Sequence, residues 1–284
     1  MKKNILIMMP LLLGVMSSAN ARTLPPREID LRQEFTFNTA SALWKGSNLS
    51  TYGGNGRVNV IGAKLNTSVG LPYEMQVDAN LAWSNSRMAK GSEGGRKEGD
   101  SVSGISELGL QLTKATYQSG NYAMDLFVGV RFPGFSRKNP DDFIAINDGA
   151  TKLEFGLSNA LDFSDFSLVF DARWIHRTGA PHDQAALNLS APLYLFEKTQ
   201  LGPIVSYVNT FGGYDIGSAS FMAASNAAGS LLFSEVRESF LAAGVFIAHP
   251  LSESVGVDAY VSQKFFGANT DKGLTLGLGF SYSL

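Results

Sequence analysis

The sequence has three histidines and no cysteine. His176 and His182 flank the turn "HRTGAPHD", which ends on Asp183. Two imidazoles and a carboxylate are a ligand set that a divalent metal accepts. Here the three lie in a loop whose spacing imposes no geometry, so no metal is expected. His249 precedes Pro250 at another turn, where an interfacial cap is the simpler role. A Ser–His hydrolase needs nucleophile, base and orienting group to converge. No run shows that arrangement, so no catalytic residue and no enzymatic activity are expected. The absence of cysteine excludes disulfides, thiolate metal sites, Cys nucleophiles and lipidation at an N-terminal Cys. "GGNG" (53–56) does not join a strand to a helix; it is a loop tip rather than a phosphate cradle, and no cofactor is expected.

The remaining chemistry lies in ionisable and amide side chains that recur at alternate positions. They are Glu34, Lys64, Asp78, Asn80, Glu107, Gln111, Asp125, Arg131, Lys152, Glu154, Asp171, Arg173, Arg177, Asp258 and Lys264. Both signs are interspersed, and the positions between them are apolar. Two roles fit: ion pairs that brace a wall, or a polar pathway for a solute. The two can hold together.

The elements that position these groups have period two. "VDANLAW" sets Val77, Ala79, Leu81 and Trp83 against Asp78, Asn80 and Ala82. "YAMDLFVGVRF" sets Tyr122, Met124, Leu126, Val128, Val130 and Phe132 against Asp125, Gly129 and Arg131. Such alternation is the strand signal. Strands are expected near 29–44, 57–69, 75–86, 105–116, 122–133, 150–161, 167–177, 185–195, 201–211, 235–249, 255–266 and 273–284. Short connections such as "GLPYE" (70–74) and "PLSES" (250–254) alternate with longer ones at 45–56, 87–103, 134–149 and 212–234.

An even strand count with short turns on one side and long loops on the other describes an all-β, transmembrane, antiparallel up-and-down β-barrel of about twelve strands. A closed barrel pairs every backbone group in lipid without leaving an edge. A soluble sandwich would also alternate, but its loop lengths need not. Residues 1–21 read as a signal peptide: Lys2 and Lys3, an apolar run over 5–16, then "SSANA". The barrel is then 22–284. Charged residues are 17% of the 284-residue chain and the net charge is −2, with no basic cluster to attract nucleic acid.

This architecture places the short turns in the periplasm and the long loops outside a bacterial outer membrane. Trp44, Trp83, Tyr73, Tyr122, Trp174 and Tyr282 fall near strand ends, where aromatic girdles form, although Trp44 could also point inward. The polar face also carries Gly62, Gly109, Gly129, Gly156, Gly256, Gly277 and Gly279, which permit sharp curvature or leave room for a ligand. Strands 201–211 and 235–249 have apolar residues at both parities (Ile204, Val205, Phe240, Leu241), which either a greasy lumen or a β-bulge explains. The loops 87–103 and 212–234 are candidates to fold inward, and the second, apolar for an outer loop, could form a plug, a short helix or a contact surface.

"GISELGLQLTK" (Gly104–Lys114) and "RTGAPHD" (Arg177–Asp183) resemble patches of an outer-membrane β-barrel transporter superfamily, in particular the group named for the meta pathway of phenol degradation. Ser106 stands where that group usually has Gly, and Glu107 where it has Asp. The resemblance implies passive passage of small, hydrophobic or aromatic solutes. The chain end, Gly279, Tyr282 and Leu284, resembles the signal read by the outer-membrane insertion machinery, where Phe is the commoner last residue. The expectation is therefore a monomeric outer-membrane channel or passive transporter with a charged lumen, its partners being membrane lipid, the insertion machinery and a small solute. The alternatives are a non-conducting structural or surface-interaction barrel and, less favoured, an outer-membrane lipid hydrolase.

Overall fold

A sheet that is apolar on one face and polar on the other can satisfy its backbone in lipid only by closing on itself. The computed structural model describes residues 23–92, 98–134, 149–178, 182–195, 198–216, 218–228 and 235–284, and it is closed. Its strands are β1 (Ile29–Lys45), β2 (Asn48–Thr51), β3 (Gly53–Leu71), β4 (Met75–Ser92), β5 (Ser101–Ser119), β6 (Tyr122–Pro133), β7 (Thr151–Asp162), β8 (Ser167–Thr178), β9 (Gln184–Ser190), β10 (Leu193–Leu195), β11 (Thr199–Thr210), β12 (Ser239–Pro250), β13 (Val255–Ala268) and β14 (Asp271–Ser283). One helix, α1 (Ala219–Ala228), lies between β11 and β12.

Strands adjacent in sequence pair antiparallel, and β14 returns to β1, so the sheet has no free edge. The wall has twelve strands. β9 and β10 both pair β11 and form one interrupted strand, while β2 is only a short hairpin partner of β1. The interruption falls at Pro192, which has no N–H to give to a ladder; its carbonyl instead accepts from Ser167 N at 2.9 Å.

The outward row is mainly apolar. On β14 it is Leu274, Leu276, Leu278, Phe280 and Tyr282, all exposed. At the seam the register runs from Ala40↔Gly273 to Asp30↔Ser283, and Ile29 and Leu284 exchange backbone hydrogen bonds of 3.1 and 2.8 Å. The inward row is buried, and the packed interior of the molecule is the inside of the barrel. Near the short-turn end Ala123, Ala160 and Val169 form a small apolar cluster there.

The strands start and stop within a few residues of the expected positions, with informative differences. The β4–β5 hairpin continues past the expected strand ends, so the connection at 87–103 shrinks to 93–100. The connection at 45–56 contains β2, and β12 begins at Ser239 rather than near 235. The loop at 212–234 contains α1, capped by Ser218, whose hydroxyl accepts from Phe221 N at 3.1 Å. Residues 1–22, hence the signal-peptide reading, lie outside the described residues, as do 93–97, 135–148, 179–181 and 229–234.

Candidate lumen and its charged wall

All fifteen polar positions singled out above fall on the inward row of their strands, as the pairing registers show. They are not equivalent. Across β5 to β8 they join into one ladder of ion pairs. Arg131 Nη1 donates to Glu107 at 3.0 Å and its Nε lies 2.9 Å from the other side of the ladder at Glu154. Glu154 also takes Arg173 Nη1 at 3.1 Å, and Arg173 Nη2 reaches Asp171 at 2.8 Å. The Arg173 side chain is fully buried and Glu154 is nearly so. A buried charge is tolerable only when paired in this way. Lys152 and Arg177 follow in register toward the long-loop end of the same wall.

Asn188 continues the row onto β9, accepting from Ser206 Oγ at 2.7 Å. Gln111 donates to Thr113 on its own strand at 3.1 Å. Asn80 faces Gly109 across β4–β5, and its side chain fills the space that a Cβ would occupy there. Lys64 stands opposite Glu34 in the β1–β3 register.

Two further knots lie across the seam. Arg32 Nη2 pairs with Asp258 at 2.8 Å, both buried, and Tyr260 donates its hydroxyl to Glu34 at 3.4 Å. Arg32 has the same parity as Glu34 on β1, so the alternation that identifies Glu34 as inward identifies Arg32 as well. At the long-loop end Lys264 binds Asp271 at 2.9 Å and rests over the Phe240 ring, 4.5 Å from its centroid. Asp78, nearer the short turns, accepts from Ser68 and from Gln76, each at 2.6 Å. Gln76 in turn accepts from Leu24 N at 2.9 Å, which fastens the segment before β1 to the lower end of β4.

The glycines of the inward row are occupied by neighbours rather than by open space. A Cβ on Gly277 would meet the Tyr260 ring, and one on Gly279 would meet the Arg32–Asp258 pair. Curvature and packing both need glycine at these two positions.

The panel on β11 and β12, which follows β8 and β9 around the barrel, is apolar. β11 alternates regularly, with Ile204, Ser206 and Val208 inward and Val205 and Tyr207 outward. On β12 Phe240 and Phe246 point in while Leu241 and Val245 point out. The bulge lies instead on β13, where Leu241 pairs Phe266 and Ala242 pairs Lys264; Phe265 is the extra residue, and Phe265 and Phe266 are both exposed. Ile175, Ala186, Val208 and Phe240 form a cluster on this wall.

The histidines do not converge on the interior. His176 contacts Asp183 at 2.8 Å on the outer side of β8, and Trp174 donates its indole N–H to the same carboxylate at 3.0 Å. Trp174 stacks on Phe211, 4.9 Å between centroids, and the His182 ring lies against Gly212. Among the described residues no three His, Cys, Asp or Glu side chains are grouped to hold a metal. His249 pairs with Thr199 at 3.0 Å near the short-turn end. Trp83, Tyr73 and Tyr282 are exposed, whereas Trp44 is buried against Gly267.

One non-local hub was not legible in the sequence. Asn269, in the β13–β14 turn, accepts from Gly46 N and Ile216 N, each at 2.8 Å, and donates to Asp215 at 2.8 Å and to the Arg237 carbonyl at 2.6 Å. One amide thus ties the loop that carries α1 to the β1–β2 hairpin.

No protein-family model matches the chain, and neither does any curated protein sequence. Solved structures do. An outer membrane channel from Pseudomonas putida F1 superposes with a TM-score of 0.73 at 10% identity, over 96% of this chain and 100% of that one. The translocator domain of the autotransporter NalP from Neisseria meningitidis gives 0.52 at 10% identity over 90% and 88% of the two chains. The NanC porin gives 0.50 at 8% identity over 90% and 100%. At such identities the likeness is one of fold. The chain is a closed β-barrel of twelve antiparallel strands, with the fold of an outer-membrane channel.

Proposed function

We propose that the barrel is a passive channel for small solutes of hydrophobic or aromatic character, which pass along the apolar panel on β11–β12 beside the ion-pair ladder on β5–β8. The observation that carries this reading is an interior in which an apolar panel borders a ladder of paired charges. The ladder pairs its charges with one another, and the panel beside it offers Ile204, Val208, Phe240 and Phe246 to an apolar solute. The sequence resemblance to the meta-pathway group agrees with such a solute. A cleaved leader at 1–21 and a C-terminal insertion signal at Gly279, Tyr282 and Leu284 complete the route to the membrane.

Purified protein in a planar bilayer tests the reading. Steady conductance that changes on Arg131→Ala supports passage through this interior. Absence of conductance, together with unchanged uptake of small hydrophobic solutes in a deletion strain, overturns it. The rival is a non-conducting brace, and one observation favours it: Arg32, Asp171 and Arg173 are each only 2–3% exposed, so the interior holds no wide water column at their level.

A further inference from the structure

Two inward side chains stand apart from every knot described above. Asp125 on β6 and Ser158 on β7 are direct partners in register, and they are 1% and 5% exposed. Neither oxygen of the Asp125 carboxylate nor the Ser158 hydroxyl has a hydrogen-bond partner among the described residues. Side chains directly opposite in an antiparallel pair have their Cβ atoms about 4.5–5.5 Å apart. Three oxygens therefore share one small volume of the inner wall.

Their surroundings offer no positive charge. Asp125 is flanked on its own strand by Ala123 and Phe127 and faces Ala115 on β5. The group opposite Ser158 on β8 is another carboxylate, Asp171. Arg173, the nearest base on that strand, is held by Asp171 and Glu154, with its guanidinium over the Phe127 ring. The charged group that acts on Asp125 from the β3–β4 turn is also acidic, Glu74. Other carboxylate oxygens of the inward row lack partners too: Glu34 Oε2, Asp78 Oδ2 and Asp258 Oδ1. A buried carboxylate without a donor is costly to keep, and oxygen-only surroundings suit a hard cation or an ammonium group.

We propose that Asp125 and Ser158 form a binding site for a small monovalent cation, an alkali-metal ion or a primary ammonium group, on the inner wall near the short-turn end. The site makes the interior prefer cations to anions. Its consequence for transport rests on the channel reading, but binding itself does not.

Two measurements separate the two ideas. The first is thermal unfolding of the purified protein in detergent at one ionic strength, in sodium chloride, methylammonium chloride or N-methyl-D-glucamine chloride. The unfolding midpoint is expected to rise in the small cations, with the rise lost in Asp125→Asn and reduced in Ser158→Ala. A rise in sodium alone assigns a metal ion, and a rise in methylammonium alone assigns an ammonium group. Equal midpoints in all three salts for the unmodified protein overturn the site, whether or not either variant folds. The second is the reversal potential in a potassium chloride gradient. The potassium-to-chloride permeability ratio is expected to exceed one and to fall about threefold in Asp125→Asn, as loss of a focused charge predicts. A salt-specific midpoint without conductance keeps the site and removes the channel. Conductance with equal midpoints and an unchanged ratio keeps the channel and removes the site.

Discussion

Two neighbouring regions of the inner wall are built on opposite principles. From Glu107 to Asp171 the charges answer one another, each arginine lying between two carboxylates; three steps each cross one strand pair and the last, Arg173 to Asp171, runs along β8. On β11 and β12, from Ile204 to Phe246, the inner face is hydrocarbon relieved by small hydroxyl groups such as Ser206 and Thr210. A buried ladder of this kind is fragile to single deletions, because removing one member strands its neighbours without water. An apolar panel responds instead through volume, losing contacts in proportion to the atoms removed. The stability of the barrel should therefore be sensitive to charge on one side and to shape on the other.

Arg173→Ala should be the most damaging substitution, about 3–5 kcal/mol in urea unfolding from lipid vesicles, since it uncovers Glu154 and Asp171 together. Ile204→Ala, on the apolar wall, should cost about 2 kcal/mol in the same titration and widen the passage, read as higher single-channel conductance. Equal costs for the two variants would erase the distinction between the walls. Asn269→Ala should cost about 1 kcal/mol globally, because its hydrogen bonds lie at the rim, but it should speed tryptic cleavage after Arg237. In N-methyl-D-glucamine chloride, Asp125→Asn should be close to neutral or slightly stabilising, within about 1 kcal/mol, because it removes a charge that nothing among the described residues compensates. Glu154→Gln, the same chemical change inside the ladder, should destabilise measurably. If the two amide variants behave alike, the contrast between paired and unpartnered carboxylates fails.

Most of the barrel was legible because period-two alternation reports facing directly. The row from Glu34 to Lys264 could be drawn from spacing alone, as could the closing strand. What alternation cannot supply is who meets whom. The ladder depends on registers that bring Arg131 opposite Gly109 on one side and Lys152 on the other, so that its guanidinium reaches diagonally to Glu107 and Glu154. The isolation of Asp125 has the same origin: its neighbours across the ladder are Ala115 and Ser158, and only the registers reveal that. The ambiguity of β11 and β12 resolved into inward-facing apolar residues, with the bulge displaced to Phe265 on β13. The break at Pro192 was marked in the sequence by the proline, yet alternation on both sides concealed it. Asn269 was beyond reach, since nothing local to it indicates Gly46 or Asp215.

The exchange of hydrogen bonds between Ile29 and Leu284 sets the order in which the molecule can be assembled. The other ladders of the wall join strands consecutive along the wall, so each can zip from its own connection with modest loop-closure entropy. The seam alone joins partners 253 residues apart, as at Asp30 and Ser283. It is the contact of highest sequence separation and the natural last event, slow because its entropy must be met before its hydrogen bonds form. Until then both outer strands present unpaired edges, and the half-made sheet is a template for any other strand it meets.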